Sequence, residues 1–314
     1  MERLRKKTQS LRRGGVNSEN LLQVGILPKK GWRKRNVQFL GKTVLPSIFA
    51  RRGGLVQAPA FPLAETGRAA VTWIGHASFL LNTGGRNIII DPNWAMWLSV
   101  FKRVRHPGVC IRDLPHIDMV LITHAHHDHL HIRSLREIAN RQPILVPHGV
   151  GSLVQRRGFS EVHEMAYWDK REEEGIEIVF TPAAHWGARF VHDTHRQFGG
   201  YLVKAPGICI YHAGDSAMFG GFEEIGRHHP IDVALMPIGA YSAPSGREVH
   251  MNPEEALDAF EQLGAKIMVP MHYGTFPLGS EPMEEPVTRL RIEAERRGLL
   301  DRVIVMPEGV PHIF

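Results

Sequence analysis

The residues best equipped for chemistry form one short run, Thr123-His124-Ala125-His126-His127-Asp128-His129. With 19 His in 314 residues, a His-x-His-x-Asp-His pattern arises by chance on the order of 0.002 times in such a chain. Neutral imidazole and ionised carboxylate are the donors that hold zinc and similar divalent cations. On a helix, side chains two residues apart point away from each other, so His124 and His126 can share an ion only on a loop. The apolar residues 119–122 just before the run read as a buried strand. A loop leaving that strand can fold both rings inward and turn Asp128 and His129 toward a second ion.

Two ions need more donors than one loop supplies. His185 follows the strand candidate at residues 176–180, Asp215 follows 208–211, and His272 follows 267–269. A carboxylate has two oxygens and can bridge two cations, which a neutral imidazole cannot do. The ligand set is therefore His124, His126 and His185 for one ion, Asp128, His129 and His272 for the other, and Asp215 between them. Five imidazoles with carboxylates suit two zinc ions at ~2.0–2.2 Å, and Fe or Mn fits the same donors. His127 alternates outward toward solvent, and His131 belongs to a helix opening after the loop. His106, His116, His163, His228, His229 and His312 stand outside any motif and read as structural.

The elements that must position these donors are short and β-rich. Residues 71–74, 78–81 and 88–90 read as neighbouring antiparallel strands joined by turn signals. Buried-strand candidates continue at 119–122, 144–146, 176–180, 200–203, 208–211, 233–236, 267–269 and 303–305. The best helix is Pro253–Leu263. Asn252 serves as N-cap, Pro253 as N1, Glu255 completes a capping box and Gly264 ends it, with Ala256, Leu257, Phe260 and Leu263 on one buried face. Hairpins with interspersed helices make an α/β domain with mixed sheets, and its candidate donors sit just after strands, where loops carry chemistry on a rigid scaffold.

Charge divides the chain. Residues 1–70 carry 15 Lys/Arg against three Glu, whereas 71–314 carry 23 basic against 29 acidic residues, and every His lies from His76 onward. The overall +6 thus describes a basic N-terminal extension, 1–70, attached to an acidic catalytic domain, 71–314. That acidity opposes a polyanion, so no nucleic acid is expected as partner. Cys110 and Cys209 are too few for a disulfide framework or a cysteine zinc cluster and suit a reducing compartment. No run approaches the ~20 apolar residues of a membrane span. The expected location is cytoplasmic, with the extension either packed on the domain or docked on the inner membrane surface.

Beyond the metal run, Thr72-Trp73-Ile74-Gly75-His76-Ala77-Ser78, Ile90-Asp91-Pro92, Pro182-Ala183-Ala184-His185-Trp186, Pro237-Ile238-Gly239-Ala240-Tyr241, His250-Met251-Asn252-Pro253 and His272-Tyr273-Gly274-Thr275-Phe276 stand out. With these motifs the chain, from about Val71 onward, resembles the metallo-β-lactamase fold superfamily. Within it the motifs look like the branch of N-acyl-phosphatidylethanolamine-hydrolysing phospholipases D. The resemblance implies an αββα sandwich with two mixed β-sheets between outer helices, a di-zinc centre at one edge, and hydrolysis of a phosphodiester to an N-acylethanolamine and phosphatidic acid. The loop 242–249 departs from that branch in lacking bulky aromatic residues.

The expected mechanism is attack on phosphorus by hydroxide generated between the ions. Asp128 and Asp215 would orient the hydroxide or take its proton, and His250 and Tyr241 are candidates to contact the phosphate or amide. Asp91 either fixes a ligand imidazole or caps a turn before Pro92. A phospholipid substrate requires an apolar approach. Trp94, Met96, Trp97, Leu98, Val100 and Phe101, followed by Lys102, Arg103 and Arg105, fit either a membrane surface or a buried face or homodimer contact. The competing activity is a metal-dependent hydrolase of a soluble substrate, such as a sugar-phosphate lactonase or small-molecule phosphodiesterase.

Overall fold

A computed structural model describes residues 31–190 and 193–314; the first 30 residues of the basic extension lie outside the described residues. Two sheets form the centre. The first runs β15-β1-β2-β3-β6-β7-β8, built from β1 (Ala69–Gly75), β2 (Ser78–Thr83), β3 (Arg86–Ile90), β6 (Met119–Leu121), β7 (Ile144–Pro147), β8 (Val162–Met165) and β15 (His312–Ile313). The second runs β14-β13-β12-β11-β10-β9, from β9 (Lys170–Glu173), β10 (Ile176–Thr181), β11 (Gly200–Ala205), β12 (Ile208–His212), β13 (Val233–Pro237) and β14 (Ile267–Met271). Both are mixed: antiparallel hairpins give way to parallel pairs at β3–β6–β7–β8 and at β12–β13–β14.

The two-residue period of a strand sorts side chains into layers. Trp73, Phe79, Leu81, Ile88 and Ile90 face the second sheet and pack with Phe180, Tyr201 and Ile210. Their alternates Ile74, Leu80, Ile89, Val120 and Ile122 face outward and pack with Leu135 and Ile138 of α3 (Ile132–Ile138) and Val154 of α4 (Gly151–Val154). The outer face of the second sheet is closed by α5 (Gly221–His228), α6 (Pro253–Leu263) and α7 (Glu285–Arg296). The result is the αββα sandwich. The Tyr201 hydroxyl crosses the interior and donates to the Ile122 carbonyl at 3.0 Å, which pins the end of β6 to the opposite sheet.

The capping of α6 follows the sequence expectation: Asn252 accepts from Glu255 N–H, the Glu255 side chain accepts from Asn252 N–H, and Gly264 ends the helix at φ 61°. Residues 303–305 do not make a strand. The 3₁₀ turn Leu300–Arg302 delivers Val303 to β14 for a single bridge with Met268. Edge strand β9 is Lys-Arg-Glu-Glu, whose charge blunts an edge and hides the apolar alternation by which strands are found.

The segment before β1 lies against the domain. Helix α1 (Trp32–Phe39) continues through a π turn, Leu40–Val44, into α2 (Leu45–Phe49). Phe39 meets Phe101 with ring centroids 6.1 Å apart, in the hairpin β4 (Trp97–Leu98) to β5 (Phe101–Lys102). Lys102 donates from Nζ to the Ile48 and Ala50 carbonyls, and Gly53 and Gln57 bridge to Arg105 and Val109. The basic trio Lys102, Arg103 and Arg105 is therefore engaged within the protein: Arg103 is fully buried and Arg105 pairs with Glu308. Among the described residues no helix is long and apolar enough to cross a membrane.

Candidate metal centre

The C-terminal ends of β1, β3, β6, β10, β12 and β14 open on one edge of the sandwich, and each is followed by a residue of the cluster: His76, Asp91, the 124–129 loop, His185, Asp215 and His272. The 124–129 loop reverses at His126, whose carbonyl accepts from His129 and Leu130 N–H at 3.2 and 2.8 Å. Arg189 clamps it from outside, donating to the Ala125 and Leu130 carbonyls at 2.8 and 2.9 Å. Asn93 Nδ2 donates to the Asp128 carbonyl at 2.6 Å.

All seven expected donors converge. In one half, His126 Nδ1 lies 3.0 Å from His124 Nε2 and 3.2 Å from His185 Nε2. In the other, Asp128 Oδ2 lies 3.6 Å from His129 Nε2 and 3.5 Å from His272 Nε2. Asp215 Oδ2 sits between the halves, 3.7 and 3.8 Å from His124 and His185 Nε2 and 3.2 and 3.0 Å from His129 and His272 Nε2. His129 Nε2 and His272 Nε2 have no hydrogen-bond partner despite this closeness, and Asp215 Oδ1 is likewise buried and unpartnered. Buried donors packed at such distances without hydrogen-bond alignment fit a pair of divalent cations, since unpaired buried polar atoms are otherwise costly.

The outer ring nitrogens fix the tautomers. His185 Nδ1 faces the Val249 carbonyl at 2.9 Å, which only accepts, so Nδ1 carries the proton and Nε2 presents its lone pair to the site. His129 Nδ1 donates to Asp91 Oδ2 at 2.7 Å. Thr123 Oγ1 gives its proton to Asp91 Oδ2 at 2.6 Å and receives one from His124 Nδ1 at 2.9 Å. Asp91 thus orients His129 directly and His124 through Thr123, the arrangement by which ligand rings are aimed and made more basic. Asp91 also accepts from Thr123 N–H at 2.8 Å.

Electrostatics differ across the centre. Burial drives His126 down to about 3 and His185 to about 4 and holds His124 and His250 well below the usual imidazole value. Burial also opposes charge on His272, but the Asp215 charge and contacts with Asp128 and Asp215 outweigh it and raise this ring to about 9. His129 rises well above its ordinary value for the same reason, Asp215 outweighing burial with Asp128 and Asp91 adding to it. Burial would raise Asp128 and Asp215, yet the His129 charge, with His272 and, at Asp128, His76 beside it, leaves both well below the carboxylate range. Raised His129 and His272 beside lowered Asp128 and Asp215 favour protons on these rings when no cation is bound. Metal ligation displaces them.

The backbone is tight here. His76, Asp91, Ala240 and His272 hold φ of 56°, 45°, 60° and 61°, a region non-glycine residues rarely adopt and one that clusters at functional sites. Gly214 and Gly239 permit the close packing, because a Cβ would meet the Gly199 carbonyl oxygen at 2.3 Å or that of His272 at 2.1 Å.

Of the candidate substrate contacts, His250 borders the cluster, with its Nδ1 3.9 Å from Asp215 Oδ2 and its ring stacked on His272. Tyr241 does not: its hydroxyl donates to Glu285 and Arg289 covers its ring. His127 is exposed, and His131 is the N-cap of α3. His76 is the residue that donor-counting left out. It lies in a motif the sequence displayed, and its Nε2 is 3.0 Å from Asp128 Oδ2.

A four-layer αββα sandwich with two donor groups sharing a carboxylate at one edge defines a metal-dependent hydrolase of the metallo-β-lactamase fold. The chain belongs to the β-lactamase superfamily, whose domain family, described as "Beta-lactamase superfamily domain", matches residues 86–273. It is 34% identical over 242 residues to a UPF0173 metal-dependent hydrolase of Pyrobaculum aerophilum, covering 76% of this chain and 97% of that one. It is 32% identical over 250 residues to N-acyl-phosphatidylethanolamine-hydrolyzing phospholipase D 1 of Caenorhabditis elegans, covering 73% and 70%. Among solved structures it resembles Igni18, a metallo hydrolase from Ignicoccus hospitalis, with TM-score 0.62 and 28% identity over 79% of this chain and 98% of that one.

Proposed function

We propose that the protein is a di-zinc phosphodiesterase that works at a membrane surface, hydrolysing N-acyl-phosphatidylethanolamine-like phospholipids to an N-acylethanolamine and phosphatidic acid. The observation that carries this reading is a continuous run of packed apolar side chains from an exposed apolar surface to the donor cluster. Phe39 of α1 touches Phe101, which packs with Leu98 and Phe276, and Phe276 stands edge-on to His76 at 5.3 Å. At the outer end Val37, Leu40, Leu45 and Phe49, with Trp97 and Val100 of the hairpin, are exposed, interspersed with exposed Arg33, Lys34, Lys42 and Arg51. Exposed apolar side chains rimmed by cations match the boundary between acyl chains and anionic headgroups. The likeness to the C. elegans phospholipase supports the same substrate class.

His124, His126 and His185 would hold one ion, Asp128, His129 and His272 the second, with Asp215 shared. When bound, such a pair acidifies water to a nucleophile at neutral pH and offsets charge developing on the phosphoryl oxygens. Asp215 Oδ1, buried and unpartnered, would take the proton released in attack. His250, with ring contacts to His185 and His272, would orient the phosphate.

The test is hydrolysis of N-acyl-phosphatidylethanolamine in mixed micelles by purified, metal-replete protein in ¹⁸O-water. The expected products are an N-acylethanolamine and phosphatidic acid that carries the label. Release of a fatty acid would reassign the protein as an acyl hydrolase, and turnover confined to soluble esters or lactones would remove the lipid.

A further inference from the structure

We propose that His76 is a positioning residue for the second half of the centre: it donates from Nε2 to Asp128 Oδ2 and holds that carboxylate over the second cation. The role rests on the two-cation centre and not on the identity of the substrate.

Asp128 and His126 are the two candidate ligands that are not fully buried. The Asp128 side chain is 14% exposed, against 0–2% for those of His124, His129, His185, Asp215 and His272. Asn93 secures its backbone carbonyl, but among the described residues the one side chain in contact with Oδ2 that is not itself in the seven-donor set is His76. The contact is 3.0 Å. An ionised carboxylate only accepts, so His76 carries its proton on Nε2. That tautomer is the reverse of His129 and His185, whose protons lie on Nδ1 and whose Nε2 lone pairs face the cluster. His76 therefore belongs to the group of four donors around Asp128 by proximity, yet it presents a proton there where a ligand presents a lone pair.

Its placement is heavily determined. His76 N–H donates to Thr275 Oγ1 at 2.9 Å, and its carbonyl accepts from Trp73 Nε1 at 2.9 Å and from His272 N–H at 3.0 Å. The ring lies against His272, with centroids 4.1 Å apart, and edge-on to Phe276. These contacts sustain a left-handed backbone at a β-strand end, with φ 56°, that a histidine adopts only when its surroundings enforce it. The same backbone bond fixes His272, itself at φ 61°, so one strained pair delivers a ligand and the group that aims another.

The test compares wild type with His76→Phe, which keeps ring volume without the donor, and His76→Gln, whose side-chain amide restores an N–H. Zn²⁺ alone is titrated against a competing chelator, and apo-protein melting is followed in parallel. Loss of a partner behind a metal ligand weakens metal binding by roughly 10–100-fold, so His76→Phe is expected to weaken the second ion by that factor. The first ion should stay unchanged, and His76→Gln should recover most of the loss. Two ions in wild type with unchanged affinities in His76→Phe would overturn the role while leaving the centre intact. Equal weakening of both ions with a lowered apo melting temperature would overturn it in favour of a packing residue. A wild type that takes a single ion would overturn the centre and the role together.

Discussion

The two halves of the centre are built from similar donors but by different physics. Around His124, His126 and His185 the outer partners are neutral, a threonine hydroxyl and the Val249 carbonyl, and burial keeps these rings uncharged. In the other half Asp91 stands behind His129 alone, and the charges of Asp215 and Asp128 facing both rings raise them, His272 to about 9. The first half is a nest of lone pairs ready for a cation. The second is an internal salt bridge from which protons must leave before a cation enters. The comparison teaches that five histidines in one cluster need not be equivalent: the carboxylates that face a ring, Asp215 and Asp128 above all, raise His129 and His272, whereas burial lowers the other three.

The sharpest break in that contrast is Asp215, the one side chain both halves share. Asp215→Ala is expected to lose the second ion and weaken the first. Turnover should fall at least ~10³-fold, because a catalytic cation contributes several kcal/mol and each 1.36 kcal/mol is tenfold. His185→Ala, by contrast, should empty the first half alone. Metal content by mass spectrometry checks both variants, and two retained ions in Asp215→Ala would end the shared-carboxylate account.

Asp91 tests the difference in outer partners. It contacts His129 directly but reaches His124 only through Thr123. Asp91→Asn should therefore weaken the second ion by roughly 10–100-fold and the first by less. Two-site zinc competition reads this out, and equal losses would mean that the halves do not differ in this way.

Acidity separates the halves without mutation. In the metal-free protein His76, His124, His126, His185 and His250 have lowered values, so the unfolded chain binds more protons below its ordinary imidazole value of ~6.5. Stability therefore falls as pH drops from there toward 3. His272 and His129 act with the opposite sign. Their contribution is complete below ~6.5 and is lost as pH rises through the folded value, about 9 for His272. Apo-protein melting should peak near neutrality and decline on both sides. Bound metal should remove the alkaline decline, because it replaces the proton on His272. Melting curves with and without chelator decide this, and an apo-protein of flat stability from pH 4 to 7 would contradict the neutral state of the first half.

The donor identities were legible in the sequence because a carboxylate or imidazole directly after an apolar run has few structural uses; the sandwich layers followed from the family resemblance, and α6 from its capping box and apolar face. What could not be read was orientation. Whether Asp91 capped a turn or gripped an imidazole depended on the left-handed kink that turns it toward His129. Tyr241 stood beside a motif, but the ion pairs of α7 claim its hydroxyl. His76 stood in plain sight before Ala77, yet its role depends on β1 ending opposite the 124–129 loop, a contact 52 positions apart in the chain. The apolar run 94–101 was equally ambiguous, because one short hairpin buries Leu98 and exposes Trp97.

The smallest effect sharpens the comparison from outside the centre. Asn252 caps α6, two residues after His250 and three after Val249, whose carbonyl fixes the His185 tautomer. Removing such a cap costs about 1 kcal/mol. Asn252→Ala should lower stability by that amount and let the 249–250 backbone shift, which touches the first half through His185 but leaves Asp128, His129 and His272 on other loops undisturbed. The expected signature is a small loss of affinity for the first ion only, measured beside the melting temperature. A loss falling on the second ion would show that the two halves are mechanically coupled through the His250–His272 stack and not insulated by their separate loops.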